Sequence, residues 1–329
     1  MKRNVVTLLG CALFTMACEP QQSEPEPVGE PVVVYASYAE APYLPDLFSG
    51  FTETTGIRVI VQYGESKDLT DKVVSDRGSP PADVLLTRGI VDIWRAADEG
   101  ALRPLVSGNL GHVASFLRDP DGFWAATGVE LAVILYTPDS GNDLPATYAD
   151  LARPEYRGRL CFSTSSSVSN RSLLAMMIAE IGVRPAERVV RGWVRNLALS
   201  PLDSGSAVFD AIENGTCDFG LVSHGVAVSS TSRFGDGAAT FVVPQPAYAS
   251  IEGIGVARHA RNPESAQLFV DWLLSAEVQR RHALGVLHYS SRDDQLGRQV
   301  VERISRQNIA QAGWLDEDAR LLAERAGYR

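Results

Sequence analysis

Apolar residues in this chain fall into short runs and spaced stripes that alternate. Val32-Val33-Val34-Tyr35 follows a turn-rich stretch and predicts a buried strand. Leu44, Leu47, Phe48 and Phe51 recur at helical spacing through Tyr43 to Thr55, and Gly56 predicts the stop. Ile57 to Val61 predicts a second strand, Leu69 to Arg77 a helix, Ala82 to Leu86 a third strand and Val91 to Gly100 another helix. Further strands are predicted at Ala132 to Tyr136, Arg159 to Phe162, Cys217 to Val222 and Phe241 to Val243. Between and after them, helical spacing runs over Asn170 to Ile181, Ala186 to Asn196, Ser206 to Asn214 and Pro263 to Leu274. This alternation predicts an α/β sheet with parallel pairs. No repeat of fixed period occurs, which excludes a solenoid or propeller.

The N-terminus breaks the pattern. Lys2 and Arg3 precede an apolar stretch from Val5 to Ala17, too short to span a bilayer and suited to the core of a signal peptide. Thr15-Met16-Ala17-Cys18 resembles a bacterial lipobox, in which Cys18 becomes the lipidated first residue. Thr stands where Leu is usual; the other reading is an ordinary cleaved signal peptide. The expected division is a signal peptide over 1–17 and a disordered tether over 18–30, where four Glu stand among Pro and Gln with little apolar surface to bury.

Length and charge narrow the rest. A chain of 329 residues suits two domains. Its formal charge is −10, with no cluster of Lys and Arg, which argues against a nucleic-acid partner. Cys161 and Cys217 stand beside strand-like runs; an oxidising compartment could pair them in one disulfide, the alternative being two buried thiols. No spacing suits a zinc site, so no metal and no cofactor are expected. There is no Gly-rich phosphate loop ending in Lys-Ser, no His-Glu-x-x-His and no Gly-x-Ser-x-Gly, so an enzyme is not expected.

Two α/β units predict a ligand cleft between two lobes, bordered by the segments beyond the strand C-termini. Those segments are small or polar: Tyr35-Ala36-Ser37-Tyr38, Thr87-Arg88-Gly89, Ser163 to Ser167 and Ser223-His224-Gly225. The Ser run precedes a helix and could cap it, meet a ligand oxygen, or do both.

At these segments the chain resembles the ferric-iron-type periplasmic solute-binding proteins of ABC importers. The matching stretches include Val33 to Ser37, Phe51 to Ile57, Pro81 to Leu86, Gly158 to Cys161, Ser165 to Ala175, Gly215 to Gly220 and Ile254 to Pro263. The resemblance implies the two-lobed periplasmic-binding-protein fold, a hinge, and crossings near Gly128 to Leu131 and Ala247 to Gly253. The implied lobes are 31–128 with 250–300, and 129–249 with 301–329.

The resemblance fails at the metal. Iron-binding members supply Tyr phenolates, yet Gly225 and Val226 stand at the adjacent tyrosine pair and Ser169 at a further Tyr position. The segment after the first strand reads Tyr38-Ala39-Glu40, and Glu130-Leu131-Ala132 replaces an Arg-containing stretch. The expected ligand contacts are therefore Tyr38, Glu40, Glu130, Ser167, Ser169, Asn170, Ser223 and His224, with a ligand other than bare ferric iron. The expected partners are a small-molecule ligand, an ABC permease or other inner-membrane protein, and the membrane through the lipid anchor. A periplasmic monomer is expected. The alternatives are a carrier of an organic or lipid-like molecule, or a ferric-iron binder with a non-standard site.

Overall fold

The computed structural model describes residues 30–37, 44–78, 82–140, 144–234, 239–286 and 288–329. The proposed signal peptide, Cys18, all but the last residue of the tether, and the candidate residues Tyr38 and Glu40 lie outside the described residues. No described helix is long and apolar enough to cross a membrane.

The chain opens with β1 (Val32–Ala36), α1 (Leu44–Thr55), β2 (Val59–Tyr63), α2 (Ser66–Val74), β3 (Val84–Arg88), α3 (Ile90–Asp98) and β4 (Leu102–Arg103). α1 buries Leu44, Leu47, Phe48 and Phe51, the stripe its spacing dictates. β1 pairs in parallel with β2 and β3, as helical crossovers require. β2 and α2 are displaced by a few residues from their expected limits, because β2 is partly exposed and only Leu69, Thr70 and Val73 of α2 are buried.

β5 (Trp124–Tyr136) follows, then β6 (Leu160–Phe162), α4 (Val168–Ile181), α5 (Val183–Asn196), α6 (Gly205–Glu213), β7 (Phe219–Ser223), α7 (His224–Phe234), β8 (Thr240–Val242) and β9 (Ala249–Ala257). The chain continues through α8 (Pro263–Leu273), α9 (Ala276–Val286), α10 (Arg298–Arg303), α11 (Ala310–Trp314) and α12 (Asp316–Ala326). The strand order is β2-β1-β3-β9-β5-β7-β6, with β4 on β9 and β8 on β5. β6 and β7 are parallel, and every pairing that involves β5 or β9 is antiparallel.

β5 joins the two halves. Its residues 124–131 pair with β9 in the first half, and its residues 132–136 pair with β7 and β8 in the second. Cys161 of β6 is joined to Cys217 by a buried disulfide, with Cα atoms 5.9 Å apart. Within 301–329 the contacts divide. Asn308 and Ile309 hydrogen-bond to Ser115, Phe116 and Arg118 of the first half, whereas α12 packs on α4 and α5 of the second. α11 lies between α3 and α4.

Candidate functional site

Two acidic residues lie inside the junction of the halves. Glu130 on β5 and Glu252 on β9 occupy paired strands, with Glu130 opposite Ser250 and Gly128 opposite Glu252. Both carboxylates are buried. His288 stands between them, its Nε2 3.1 Å from Glu130 Oε1 and its Nδ1 3.3 Å from Glu252 Oε1. His282 of α9 approaches Glu252 from the other side, Nε2 to Oε2 2.6 Å.

The backbone makes room for this network. The β5–β9 register shifts between Ala126 and Gly128. A Cβ on Gly128 would lie 3.0 Å from Glu252 Oε2 and 3.2 Å from His288 Nδ1. Val129 and Tyr289 exchange two backbone hydrogen bonds of 2.9 Å, which fixes the His288 segment on β5.

Electrostatics follow from the packing. Burial alone would raise the Glu130 pKa. The hydrogen bond and charge of His288, the charge of Arg88 and a hydrogen bond with Ser223 overcome it and hold the carboxyl at about 2. Glu252 behaves alike: burial opposes its charge, and His282 and His288 lower its pKa despite repulsion from Glu130. Burial would strip the proton from His288, but Glu252 and Glu130 raise its pKa above the ordinary value, against the opposing charge of Arg88. The site is thus a chain of alternating charges inside the protein.

The chain reaches solvent at Arg88. This residue ends β3, its side chain is 52% exposed, and its Nη2 lies 4.0 Å from Glu130 Oε2. The next residue, Gly89, has φ 84°, and a Cβ there would fall 2.5 Å from Val168 Cγ1. The Arg88–Gly89 turn of the first half therefore abuts the amino end of α4 in the second. Nearby on the second half, the His224 ring lies 4.5 Å from that of Tyr289 and meets Phe241 edge-on at 5.3 Å.

Glu130 and Ser223 meet in this network, and His224, next to Ser223 in the chain, packs on Tyr289 and Phe241. Ser167 and Ser169 lie at the amino end of α4, beside the Arg88–Gly89 turn; the Ser167 Oγ caps that helix by accepting from the Asn170 N–H. The Asn170 side chain is buried, with its amide Nδ2 within hydrogen-bond distance of Ser163 O, Thr164 O and Tyr328 Oη, so it braces the Ser loop from within. Sequence reasoning missed Glu252, His282, His288 and Tyr289. Glu252 carried a readable signal, a lone acid in the apolar run Ala249–Ala257. Nothing local marks the two histidines. Among the described residues, no group of three or more His, Cys, Asp or Glu is arranged to hold a metal ion.

Residues 79–316 match the family of bacterial extracellular solute-binding proteins. The chain belongs to this family. The solute-binding protein is 30% identical over 257 residues to iron uptake protein A1 of Synechocystis sp., which spans 71% of this chain and 68% of the relative. It is 26% identical over 240 residues to the Fe(3+)-binding periplasmic protein of Serratia marcescens, spanning 70% of each. Among solved structures it is similar to the Trichodesmium protein IdiA (FutA) in complex with iron and citrate. That likeness has a TM-score of 0.83 and 26% identity, and it covers 92% of this chain and 100% of the other. The fold is therefore the two-lobed α/β fold of periplasmic solute-binding proteins, the family that serves ABC importers, and its relatives are named for ferric iron.

Proposed function

We propose that this solute-binding protein captures an organic anion between its lobes and delivers it to an ABC permease, and that bare ferric iron is not its ligand. The carrying observation is Arg88, a half-exposed guanidinium at the end of β3, whose neighbour Gly89 abuts the amino end of α4. Guanidinium and helix N–H groups both recognise carboxylate or phosphate oxygens. By the family resemblance, Ser169, Gly225 and Val226 stand where iron-binding members carry phenols. Tyr289, the phenol beside His224, has its pKa raised by burial, which opposes the phenolate that Fe³⁺ prefers. The Trichodesmium relative holds iron together with citrate, so citrate and ferric citrate are the natural probes.

In this reading, β5 and β9 form the hinge between lobes of 31–128 with 250–300 and of 129–249 with 301–329. Ligand that touches both lobes favours the closed form, which the permease recognises. Export to the periplasm and lipidation at Cys18 complete the proposal. Intact-mass measurement should find an acylated N-terminal Cys18; an unmodified terminus overturns the anchor.

Calorimetry with citrate, ferric citrate and Fe³⁺ tests the ligand. Citrate, free or iron-bound, should bind with an affinity that Arg88→Ala removes. Tight stoichiometric uptake of Fe³⁺ alone, with a phenolate charge-transfer band, overturns the reading. Native mass spectrometry that finds a neutral lipid in the cleft would do the same.

A further inference from the structure

Arg88 has a competitor for its own charge. Glu130 Oε2 lies 4.0 Å from its Nη2, too far for a hydrogen bond but near enough for strong attraction inside a protein. Glu130 is nevertheless already engaged, by His288 at 3.1 Å and by Ser223. A buried carboxylate that loses its cation draws in the nearest replacement, because an unpaired buried charge is costly. The nearest replacement is Arg88, and a small rotation of its long side chain closes the gap.

We infer that His288 is a positioning residue for ligand capture: by holding Glu130, it leaves Arg88 free for the anion, so anion affinity follows the proton on His288. This rests on the anion reading given above. The charged and polar groups around the imidazole are Glu130 of β5, Glu252 of β9, Arg88 of β3, and, through those carboxylates, His282 of α9 and Ser223 of β7. Tyr289, the next residue along the chain, packs on the His224 ring of α7. When His288 loses its proton, Glu130 and Glu252 keep theirs off, and Arg88 is the cation left to answer Glu130. The anion then competes with a carboxylate of the protein for one guanidinium.

Citrate is the probe, titrated upward from neutral pH with citrate's own ionisation corrected for. Affinity of the unaltered protein should fall as pH rises through the raised pKa of His288. His288→Gln keeps a hydrogen-bond donor but no charge. It should bind citrate roughly ten- to a hundredfold more weakly at pH 7, the worth of a charged hydrogen bond, and show no such pH step. Adding Glu130→Gln to that variant should restore affinity, since no carboxylate then holds Arg88. A merely structural role for His288 would not be rescued in this way.

A measurement without substitution guards against misfolding. By reciprocity, an anion that binds better to protonated His288 must raise the pKa of that imidazole, which NMR reads directly. An unchanged His288 titration at saturating citrate, or a double variant no tighter than His288→Gln, overturns the inference. Full citrate affinity in Arg88→Ala, or no citrate response at any pH, overturns the anion reading beneath it instead.

Discussion

Glu130 is ionised inside the protein because of where His288 sits, and the stability of the fold should show it. The Glu130 pKa is held near 2, below its ordinary value, so its contribution is complete above about pH 4.5 and disappears as pH falls towards 2. That contribution is on the order of 3 kcal/mol from the size of the shift. His288 runs the other way. Its pKa is raised, so its contribution is complete below about 6.5 and is lost as pH rises through the higher folded value. Urea unfolding across pH should therefore give a maximum between the two limbs, and Glu130→Gln should flatten the acid limb. His288→Leu, which leaves two buried carboxylates facing each other, should cost about 3–5 kcal/mol. Glu130 was legible in the sequence because, by the family resemblance, it stands in place of an Arg-containing stretch. His288 was not, since its role depends on lying across β5, which no local pattern encodes. Asn170 was legible as polar and near the cleft, but the direction of its amide was decided by Tyr328, 158 positions away.

Helices were more legible than strands. α1 and α8 follow their apolar stripes closely, because one face of each meets the core and the other meets water. β9 is buried at all nine positions and β5 at all but Tyr136, so neither has the alternation that marks a half-covered strand. Only the apolar end of β5 was visible. At the seam, Gly89 permits two elements from opposite halves to touch. Gly89→Ala adds a Cβ at positive φ that collides with Val168, so it should push the Arg88 turn away from α4. Weaker citrate binding together with a larger radius of gyration in small-angle scattering is the expected result; an unchanged radius would show that the seam yields without opening. The Cys161–Cys217 bridge spans 56 positions of the second half. Cys161→Ser with Cys217→Ser should lower stability by roughly 2–4 kcal/mol in thermal unfolding.

Two lobes were legible from the alternation of strands and helices and from length, since both depend on burial that recurs along the chain. The interleaving of the lobes was less so. Asn308 attaches to the first half by its side chain and Ile309 by its backbone N–H, while α12 packs on the second half through Ala319, Leu322, Ala323 and Ala326, and no local pattern in the sequence tells which half each meets. If closure is the working motion, saturating ferric citrate should compact the protein in small-angle scattering. Because β5 passes unbroken between the halves, its amides from Val129 to Ala132 should stay protected from hydrogen exchange with and without ligand.

The insertion of β9 between β3 and β5 also sets a timetable for biosynthesis. β3 is made some 170 residues before the strand that covers it, as Val84 pairs with Val256. A nascent chain that has not yet reached β9 carries two unpaired strand edges, one on β3 and one on β5, and such edges invite aggregation. Early synthesis therefore yields a sheet that cannot close, and the chain is best kept unfolded until β9 exists. A protein that must pass through a translocation channel as an extended strand before it folds is served well by that delay.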